Sequence, residues 1–513
     1  MAYGVALGLT DPRDSCEAHF QDIVKMGGYI CDHNLAKIIV YEAPERFREL
    51  VEWGVEFLKE PDGRFRHVMS DGATYPRACG TGADTGKQIM DALKRQVEER
   101  SIHVVENTMV VDLVTYQGRV AGAVGVNLET LELTAFIAKS TVIATGGHGG
   151  LYKYNVFPSG MTGDGYAMAL RAGAKLVNME FMQIGPCVVT KFDVGGILWR
   201  LGPRLLNGCG EEYLKRYLPS GLSVEEVYRL KSVTFPFTMR NSSGYIDIAN
   251  FTEIVEGRAT KHGAIHFDLS HVPADVIETK AGIPFKYFVT RGIDIRKQPL
   301  ETAPSIQHMN GGILINGKAE TTVPGLYAAG EAAGGQHGSN RPGGNSLADC
   351  QVFGARAGKY AAEQGKNVFA PGFEEAEKIA DRIAELEKQR GKTAVRDITS
   401  VLQETMWRKV SVVRTEKSLN EAYENLLKYE RLTRSELDVC ESSLVKALEP
   451  RNMIDVGLVI VKSALTRTEM RGSHYQADYP ERNDEDWLKM IEVQKVGPDL
   501  KVNTRMPNML IHP

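Results

Sequence analysis

The chain has 513 residues, of which 43% are hydrophobic and 25% are charged, as in an ordinary globular protein of about two to four domains. A formal net charge of -4 without a lysine- and arginine-rich run gives no reason to expect a nucleic-acid partner. No apolar run approaches the ~20 residues that span a bilayer, so any membrane contact would come through another subunit.

The cysteines also restrict the function classes. They are scattered, odd in number and never in CxxC spacing, which is typical of reduced thiols and argues against an iron–sulfur cluster or zinc site in this chain. No metal site is therefore predicted. The seven positions are Cys16, Cys31, Cys79, Cys187, Cys209, Cys350 and Cys440.

The first part of the chain predicts helices and then strands. Residues 14–60 carry apolar side chains at helical spacing and predict two amphipathic helices. Lys87–Arg100 predicts a third helix, with Asp84 or Thr85 suited to cap it. An alternating, strand-rich stretch follows and ends in the apolar run Ser140–Ala144. This run predicts a buried parallel strand.

Thr145, Gly146 and Gly147 come directly after that strand. Glycines at the carboxyl end of a buried parallel strand lie where doubly wound folds bind ligands. The four letters ATGG are a weak signal alone, because a simple tight turn has the same sequence.

The middle and end of the chain differ in pattern. Residues 185–305 are rich in Phe, Tyr, Arg and Lys, and they predict short strands such as Ala264–Leu269 without long helices. From Glu374 to Leu448 the apolar spacing predicts helices that pack within the chain rather than a coiled coil, because the heptads do not persist. Residues 491–513 predict a short β segment.

The segment from Gly325 to Gly354 is the most informative part of the sequence. A strand-like run, Gly312–Asn316, precedes it, and a helical pattern, Ala348–Gln364, follows. Dense glycines before a helix let the backbone approach a flat, anionic ligand, and the helix N-terminus offers free N–H groups. The alternative is a flexible surface loop, but a linker would not contain an apolar strand and a helix cap.

These motifs together resemble the flavoprotein subunit family of fumarate reductase and succinate dehydrogenase, which also includes L-aspartate oxidase. The resemblance rests on GLYAAGE, HGSNRPGGNSL, IATGGHGGLY, TGDGYAMALRAGAKLVNMEFMQ and TRTEMRGSHYQADYPERNDEDWL in the family's order. It implies FAD as cofactor. The cofactor-binding residues that it implies are Thr145, Gly146, Gly147, Asp164, Gly330, Glu331, Asn345, Ser346 and Leu347.

The resemblance also implies the fold class. It is an α/β fold with a doubly wound FAD-binding domain, an inserted α+β capping domain and a C-terminal helical domain. The expected ranges are 1–184 and 306–365 for the FAD-binding domain, 185–305 for the capping domain, 366–490 for the helical domain and 491–513 for the tail. No strand followed by GxGxxG occurs near Met1, so we expect the FAD-binding domain to be incomplete at its N-terminus.

Reduction of an activated double bond needs cations for the substrate carboxylate and an acid for one carbon. By resemblance, Arg341 is the carboxylate-binding arginine, and Arg200 or Arg204 is the proton donor. Both of the latter are equally well interpreted as surface arginines. The family's carboxylate-binding histidine is replaced by Gly185 and its threonine by Cys187.

Gln307 stands at a second histidine position of the family, and His308 follows it. Strand alternation points these two side chains to opposite faces, so His308 cannot be assumed to substitute for the family's histidine. Losing charged hydrogen bonds of ~1.5–3 kcal/mol each should weaken dicarboxylate binding. The pocket is therefore expected either to take a different acid, with Gln307, His308, Arg341 and Arg200 as contacts, or to have little activity.

The resulting prediction is an FAD-dependent oxidoreductase that transfers a hydride between flavin N5 and the CH–CH bond of a small carboxylic acid. A separate iron–sulfur subunit is expected to exchange electrons with it, in the cytoplasm or at the inner face of the cell membrane through partner subunits. Two alternatives remain at this point: an enzyme similar to L-aspartate oxidase, or a flavin-carrying subunit with little activity of its own.

Overall fold

A computed structural model describes residues 2–82, 84–364 and 373–513 of the chain. It has the predicted α/β class, with helices and strands interspersed over the first two thirds and mainly helices after residue 373. The expected boundary between residues 365 and 366 lies outside the described residues.

The first third contains the two predicted N-terminal helices and the strand-rich stretch. Asp84 occupies the N-cap position of the third helix, but its side chain accepts no hydrogen bond there, unlike the capping side chains of Ser15 and Asp32 on the first two. The elements are β1 (Tyr3–Gly4), α1 (Cys16–Met26), α2 (His33–Glu52), β2 (Ala78–Cys79), α3 (Thr85–Glu99), β3 (Thr108–Tyr116), β4 (Arg119–Asn127), β5 (Leu133–Ile137), β6 (Thr141–Ile143), α4 (Asp164–Arg171) and β7 (Leu176–Val177).

The middle third contains the predicted capping domain. Its elements are β8 (Met182–Val188), β9 (Phe192–Asp193), α5 (Gly196–Trp199), β10 (Arg204–Leu206), α6 (Val224–Lys231), α7 (Gly244–Val255), β11 (Ile265–Asp268), α8 (Ala274–Val289) and β12 (Leu300–Met309). The prediction that this region lacks long helices was wrong, since α7 has 12 residues and α8 has 16. Helix α7 is apolar on several faces, and α8 is broken at Gly282 (φ 46°), so neither shows the clean periodicity of an amphipathic helix.

The last third starts at the glycine-rich segment. Its elements are β13 (Gly312–Leu314), β14 (Leu326–Ala328), β15 (Ala333–Gly334), α9 (Asn345–Gln364), α10 (Glu374–Glu387), β16 (Thr393–Ala394), α11 (Val395–Val410), α12 (Glu416–Ser435), β17 (Leu437–Asp438), α13 (Leu444–Thr466), α14 (Asp484–Trp487), β18 (Met490–Val496) and β19 (Asp499–Arg505). Short 3₁₀ turns cover Gly149–Leu151, Leu214–Tyr217, Gly330–Ala332 and Glu441–Ser443.

Two five-stranded sheets organise these elements. One has the order β10-β11-β12-β8-β9 and is antiparallel, and the other has the order β15-β13-β7-β18-β19. Strand β18 of the predicted tail pairs with β7, so the tail completes a sheet whose other strands, β7, β13 and β15, come from the FAD-binding ranges expected above. The expected capping-domain boundaries lie inside β8 and β12, where Gly185 pairs with Ser305. The chain segments that enter and leave the capping domain are therefore neighbouring strands.

Strand β6 forms a parallel pair with β14, in register from Thr141 and Leu326 to Ile143 and Ala328. Parallel pairing was predicted, but the expected burial was wrong for Val142, which is exposed, whereas Ile143 is buried. Both strands end at the same edge. The Ala329 N–H donates to the Ile143 carbonyl at 3.0 Å, which brings residues 145–147 next to Gly330 and Glu331.

Helix α13 is the most buried of the long helices, with Val456, Val459 and Ile460 in its interior. Helix α10 instead packs its Ile379 and Ile383 against the sheet β3-β4-β5. Within the described residues, no helix combines the length and apolarity required to cross a membrane. The seven cysteines are all free thiols.

Candidate functional site

Glu331 lies at the carboxyl end of the β6–β14 pair, where a ligand was predicted. Its Oε1 accepts a hydrogen bond of 2.8 Å from the Met309 N–H, and its backbone carbonyl accepts one of 2.5 Å from the Tyr166 hydroxyl. Gly147 is buried against the same carboxylate. A Cβ at this position would lie 2.7 Å from Glu331 Oε1, so only glycine allows the approach.

His308 contacts Glu331 through its Nδ1, 3.2 Å from Oε1. Burial and, to a smaller extent, Arg341 lower the pKa of His308 to about 4, so the ring is neutral at pH 7 and Nδ1–H is the donor. Burial alone would raise the pKa of Glu331, but His308 and the Met309 N–H outweigh burial and hold it below its ordinary value. This position therefore carries a buried negative charge.

The loop before α9 holds Arg341 in a fixed position. Its Nη2 donates to Gln183 Oε1 at 2.7 Å, and its Nη1 donates to the Pro342 carbonyl at 2.9 Å. Gln183 in turn donates to Asn340 Oδ1 at 2.6 Å and to the Arg341 carbonyl at 2.8 Å. The guanidinium is thus oriented by side chains from two elements of the chain.

A second cation lies across from Arg341. The Arg240 Nη2 is 3.9 Å from Asp71 Oδ1, and the Asp71 segment contacts the Arg341 loop through the Gly343 N–H, which donates to the Asp71 carbonyl at 2.8 Å. Burial raises the pKa of Asp71 to about 6, while Arg240, Lys231 and Arg341 act in the opposite direction. Asp71, Arg240 and Arg341 therefore belong to one electrostatic group.

Several polar atoms of this region are buried and have no hydrogen-bond partner among the described residues. Three of them are donors: Asn340 Nδ2, Arg341 Nε and Asn345 Nδ2. Ser346 and Leu347 lie in the first turn of α9, where the backbone N–H groups of a helix have no partner within the helix. A flavin ring with its carbonyl oxygens and ring nitrogens, together with phosphates, suits this set of donors, so the residues present fit FAD.

The other residues predicted for the cofactor differ in placement. Thr145 packs against the start of α4, where a Cβ on Gly165 would meet its hydroxyl. Asp164 faces elsewhere: it accepts from Thr162 Oγ1 at 2.7 Å and from Asn452 on α13, and it lines a separate cavity of about 810 Å³. The structure does not bring the Asp164 carboxylate to Glu331.

Arg200 and Arg204 are not brought to this group either. Arg200 is exposed at the end of α5, and Arg204 forms an ion pair of 2.5 Å with Asp268. Arg204 pairs with Asp268, and the residue before Asp268, Phe267, pairs with Leu300 at the start of β12. Measured along β12, Arg204 is therefore about eight residues, or roughly 26 Å, from His308. Arg204 therefore lies at the far end of that sheet, and Arg200 is exposed four positions before it in the chain.

The prediction that strand alternation points Gln307 and His308 to opposite faces was wrong, because a bulge interrupts the strand: His308 pairs with Gln183, and Gln307 Oε1 lies next to Gly185 on the same face of β8. Gln307 is the extra residue of a bulge between Ile306 and His308, and its Nε2 donates to Asp193 Oδ1 at 2.6 Å. His308 contacts Glu331 instead. The two side chains therefore serve different parts of the site.

Sequence reasoning missed Asp71, Gln183 and Arg240 as site residues. Arg240 stands before Asn241-Ser242-Ser243-Gly244 at the start of α7, and its sequence context carries no catalytic motif. The signal in the sequence was weak, since a lone arginine in an apolar loop is more often a surface residue. Only the folded loop brings it to Asp71.

A glycine-lined edge of parallel strands, a buried glutamate and an oriented arginine define a flavin nucleotide-binding oxidoreductase. Comparison with known proteins gives the same class. Residues 2–347 match the model of the FAD binding domain, and residues 399–509 match the fumarate reductase flavoprotein C-terminal model.

The chain is 38% identical to a subunit of the CoM/CoB fumarate reductase of Methanothermobacter marburgensis, over 95% of this chain and 88% of the relative. It is 32% identical to the fumarate reductase flavoprotein subunit of Mycobacterium tuberculosis, over 95% and 86%. Its structure matches a quinol fumarate reductase chain of E. coli with a TM-score of 0.86 and 25% identity, covering 100% of this chain and 90% of that one. The chain belongs to the fumarate reductase and succinate dehydrogenase flavoprotein family and is an FAD-dependent oxidoreductase that acts on CH–CH bonds.

Proposed function

We propose that this chain reduces the carbon–carbon double bond of a small unsaturated carboxylic acid, or oxidises the saturated acid, with Arg341 binding the carboxylate. The observation that supports this is the Arg341 guanidinium. It is oriented by Gln183, and its buried Nε lacks a hydrogen-bond partner among the described residues. A donor in that state gains most from an anionic acceptor, and arginine keeps its charge there.

Bound FAD supplies the hydride acceptor or donor for one carbon of the substrate. The residues of the chain bind the substrate and supply the proton. Arg341 fixes the carboxylate and so places the adjacent double bond, and the proton for the other carbon comes from the opposite side of the pocket.

Arg240 is our candidate for that proton. Its Nη2 is 3.9 Å from Asp71 Oδ1, and its Nη1 contacts the Met26 sulfur at 2.9 Å. Asp71, with a pKa of about 6, can hold a proton at Oδ1 near neutral pH and restore it to the guanidinium. Arg240 replaces Arg200 and Arg204 in this proposal because Arg204 lies at the far end of the β12 sheet and Arg200 is exposed at the end of α5.

Electrons are proposed to come from a separate iron–sulfur subunit, because the relatives are described as subunits and the cysteines of this chain are single and scattered. Contact with a membrane, in this proposal, is made only by further subunits.

The test is viologen-linked reduction of unsaturated acids by the purified, FAD-loaded chain, with L-aspartate oxidation measured in parallel. Arg341→Gln should lower kcat/KM about 10³-fold, or about 4 kcal/mol, with FAD content unchanged. Arg240→Lys should lower kcat about 10²-fold and leave KM within a few-fold.

Arg204→Gln is the matched control, since it removes an arginine at the far end of the β12 sheet, away from Arg341, and it should change kcat/KM less than twofold. An Arg341→Gln variant with wild-type activity would overturn the proposal. Turnover of L-aspartate alone would replace it by the oxidase function.

A further inference from the structure

The face of β8 that carries Gln183 continues to a group of residues that we call the far pocket: Gly185, Cys187, Asp193, Phe235 and Gln307. Gln183, Gly185 and Cys187 alternate along β8 and share one face of it. Gln183 holds Arg341, so Gly185 lies about 7 Å further along the same face. A short acid bound at Arg341 therefore ends at the far pocket.

One loop closes both ends of this face. The Phe237 N–H donates to the Ile184 carbonyl at 2.5 Å, which fixes the loop to β8. The loop carries Phe235 to Gly185 and Arg240 to Asp71. The far pocket and the Arg341 end are consequently parts of one site.

No side chain larger than glycine fits at position 185 without displacing its neighbours. A Cβ there would lie 3.0 Å from Phe235 Cε1 and Cζ and 3.2 Å from Gln307 Oε1. The space in front of β8 is thus taken by an aromatic ring and an amide oxygen. Neither of these groups carries a positive charge.

Asp193 fixes the direction of the Gln307 amide. The Gln307 Nε2 donates to Asp193 Oδ1 at 2.6 Å, and the Cys187 thiol donates to the same oxygen at 3.3 Å. The amide therefore presents its Oε1, an acceptor, toward Gly185. In the described part of the chain, the side chains that bond Asp193 are those of Gln307 and Cys187, with no lysine, arginine or histidine in an ion pair with it, although this residue is accessible to solvent.

A second substrate carboxylate would meet an acceptor oxygen, an aromatic ring and a carboxylate at this end, and no lysine, arginine or histidine side chain of the described residues is paired with that carboxylate to offset the repulsion. A group that donates hydrogen bonds would instead satisfy Gln307 Oε1. We propose that the substrate is a monocarboxylic acid whose far end carries an uncharged hydrogen-bond donor, such as an amide or hydroxyl, rather than a second carboxylate. This inference rests on the proposed function, because Arg341 must hold the first carboxylate.

Isosteric acids test this directly: succinate, its monoamide succinamate, and butyrate, which has an apolar end. Their dissociation constants are measured by titration calorimetry with the FAD-loaded chain reduced by dithionite, in which a saturated acid cannot be oxidised. We expect succinamate to bind at least tenfold more tightly than succinate, with butyrate between them.

Asp193→Asn should tighten succinate binding about tenfold and bring the two acids within about threefold of each other, while butyrate changes little. Asp275→Asn removes an exposed charge from α8 and is the matched control, with no change expected. Gln307→Met is the second variant, and it should weaken succinamate about tenfold without affecting butyrate.

Succinate binding that equals or exceeds succinamate binding, or binding of none of the three acids, would overturn the inference. The proposed function is judged separately by Arg341→Gln. If that variant loses succinate binding while the wild type prefers succinate, the function stands and the far-pocket inference fails.

Discussion

Two groups of buried charges in this molecule look alike in composition but differ in how completely they are paired. The first, the structural cluster, comprises Glu180, Arg467, Glu469 and Arg471, whose side chains are fully buried. Arg467 bonds both glutamates at 2.8 Å, and Glu469 also receives two bonds from Arg471, at 2.6 and 2.8 Å. Each charge has an opposite charge in direct contact, and Glu180 Oε2 is the one buried side-chain atom of these four described residues that lacks a hydrogen-bond partner.

The second, the site cluster, comprises Asp71, His308, Glu331 and Arg341. Both carboxylate oxygens of Asp71, His308 Nε2 and Arg341 Nε are buried and lack hydrogen-bond partners in the described part of the chain. Unpaired buried polar groups cost free energy, so a fold retains them where a ligand completes them. Pairing with an opposite charge therefore distinguishes the charges of the structural cluster from those of the site cluster, which we propose to bind substrate or cofactor.

The largest effect on stability should come from the structural cluster. Glu469→Gln leaves Arg467 and Arg471 with one negative partner fewer in the interior, and breaking such a pair costs about 3–5 kcal/mol. We expect the free energy of unfolding of the FAD-loaded chain, measured in urea by circular dichroism, to fall by that amount.

Glu485→Gln removes an exposed glutamate from the adjacent α14 and should change the free energy of unfolding by less than ~0.5 kcal/mol. Similar values for the two variants would show that complete pairing at Glu469 does not stabilise the fold, and the comparison between the clusters would lose its basis.

Asp71→Asn, in the site cluster, should instead stabilise the protein. Because burial raises the pKa of Asp71 from 3.8 to about 6, this carboxyl group loses its proton at a lower pH in the unfolded chain than in the folded one. The stability of the wild type therefore falls as the pH rises from about 4 to 6, and it stays low above pH 6. The advantage of the variant over the wild type should therefore grow by about 1 kcal/mol between pH 5 and pH 8. Urea unfolding at both pH values measures it, and an advantage independent of pH would contradict the assignment.

Arg204→Gln should have the smallest effect. The Arg204 side chain is 42% exposed, so solvent screens its side of the ion pair, and the buried Asp268 keeps a hydrogen bond from the Ser270 N–H. We expect the free energy of unfolding to change by less than ~1 kcal/mol, and by less still in 0.5 M salt. If Arg204→Gln lowered the free energy of unfolding as much as Glu469→Gln, solvent exposure would not explain the difference between a weak and a strong ion pair.

The sequence alone predicted the α/β class, the two N-terminal helices, the parallel strand before Thr145 and the helix after the glycine-rich segment. These features depend on local periodicity, on glycine where a backbone must approach another group, and on motifs whose residues are close in the chain. For the same reason, the sequence was enough to propose Arg341 and Glu331 as site residues and to find that Gly185 and Gln307 differ from the family's motifs.

Tertiary structure alone decided which charges meet. Arg240 and Asp71 are 169 positions apart in the chain, and Asp193 and Gln307 are 114 apart, so no spacing in the sequence relates them. Sequence reasoning chose Arg200 and Arg204 because they lie near a matching motif, yet the sheet carries Arg204 to the opposite end of β12. Contacts between charges form where folding brings strands and loops together, and the local sequence pattern contains no information about which distant residues will meet.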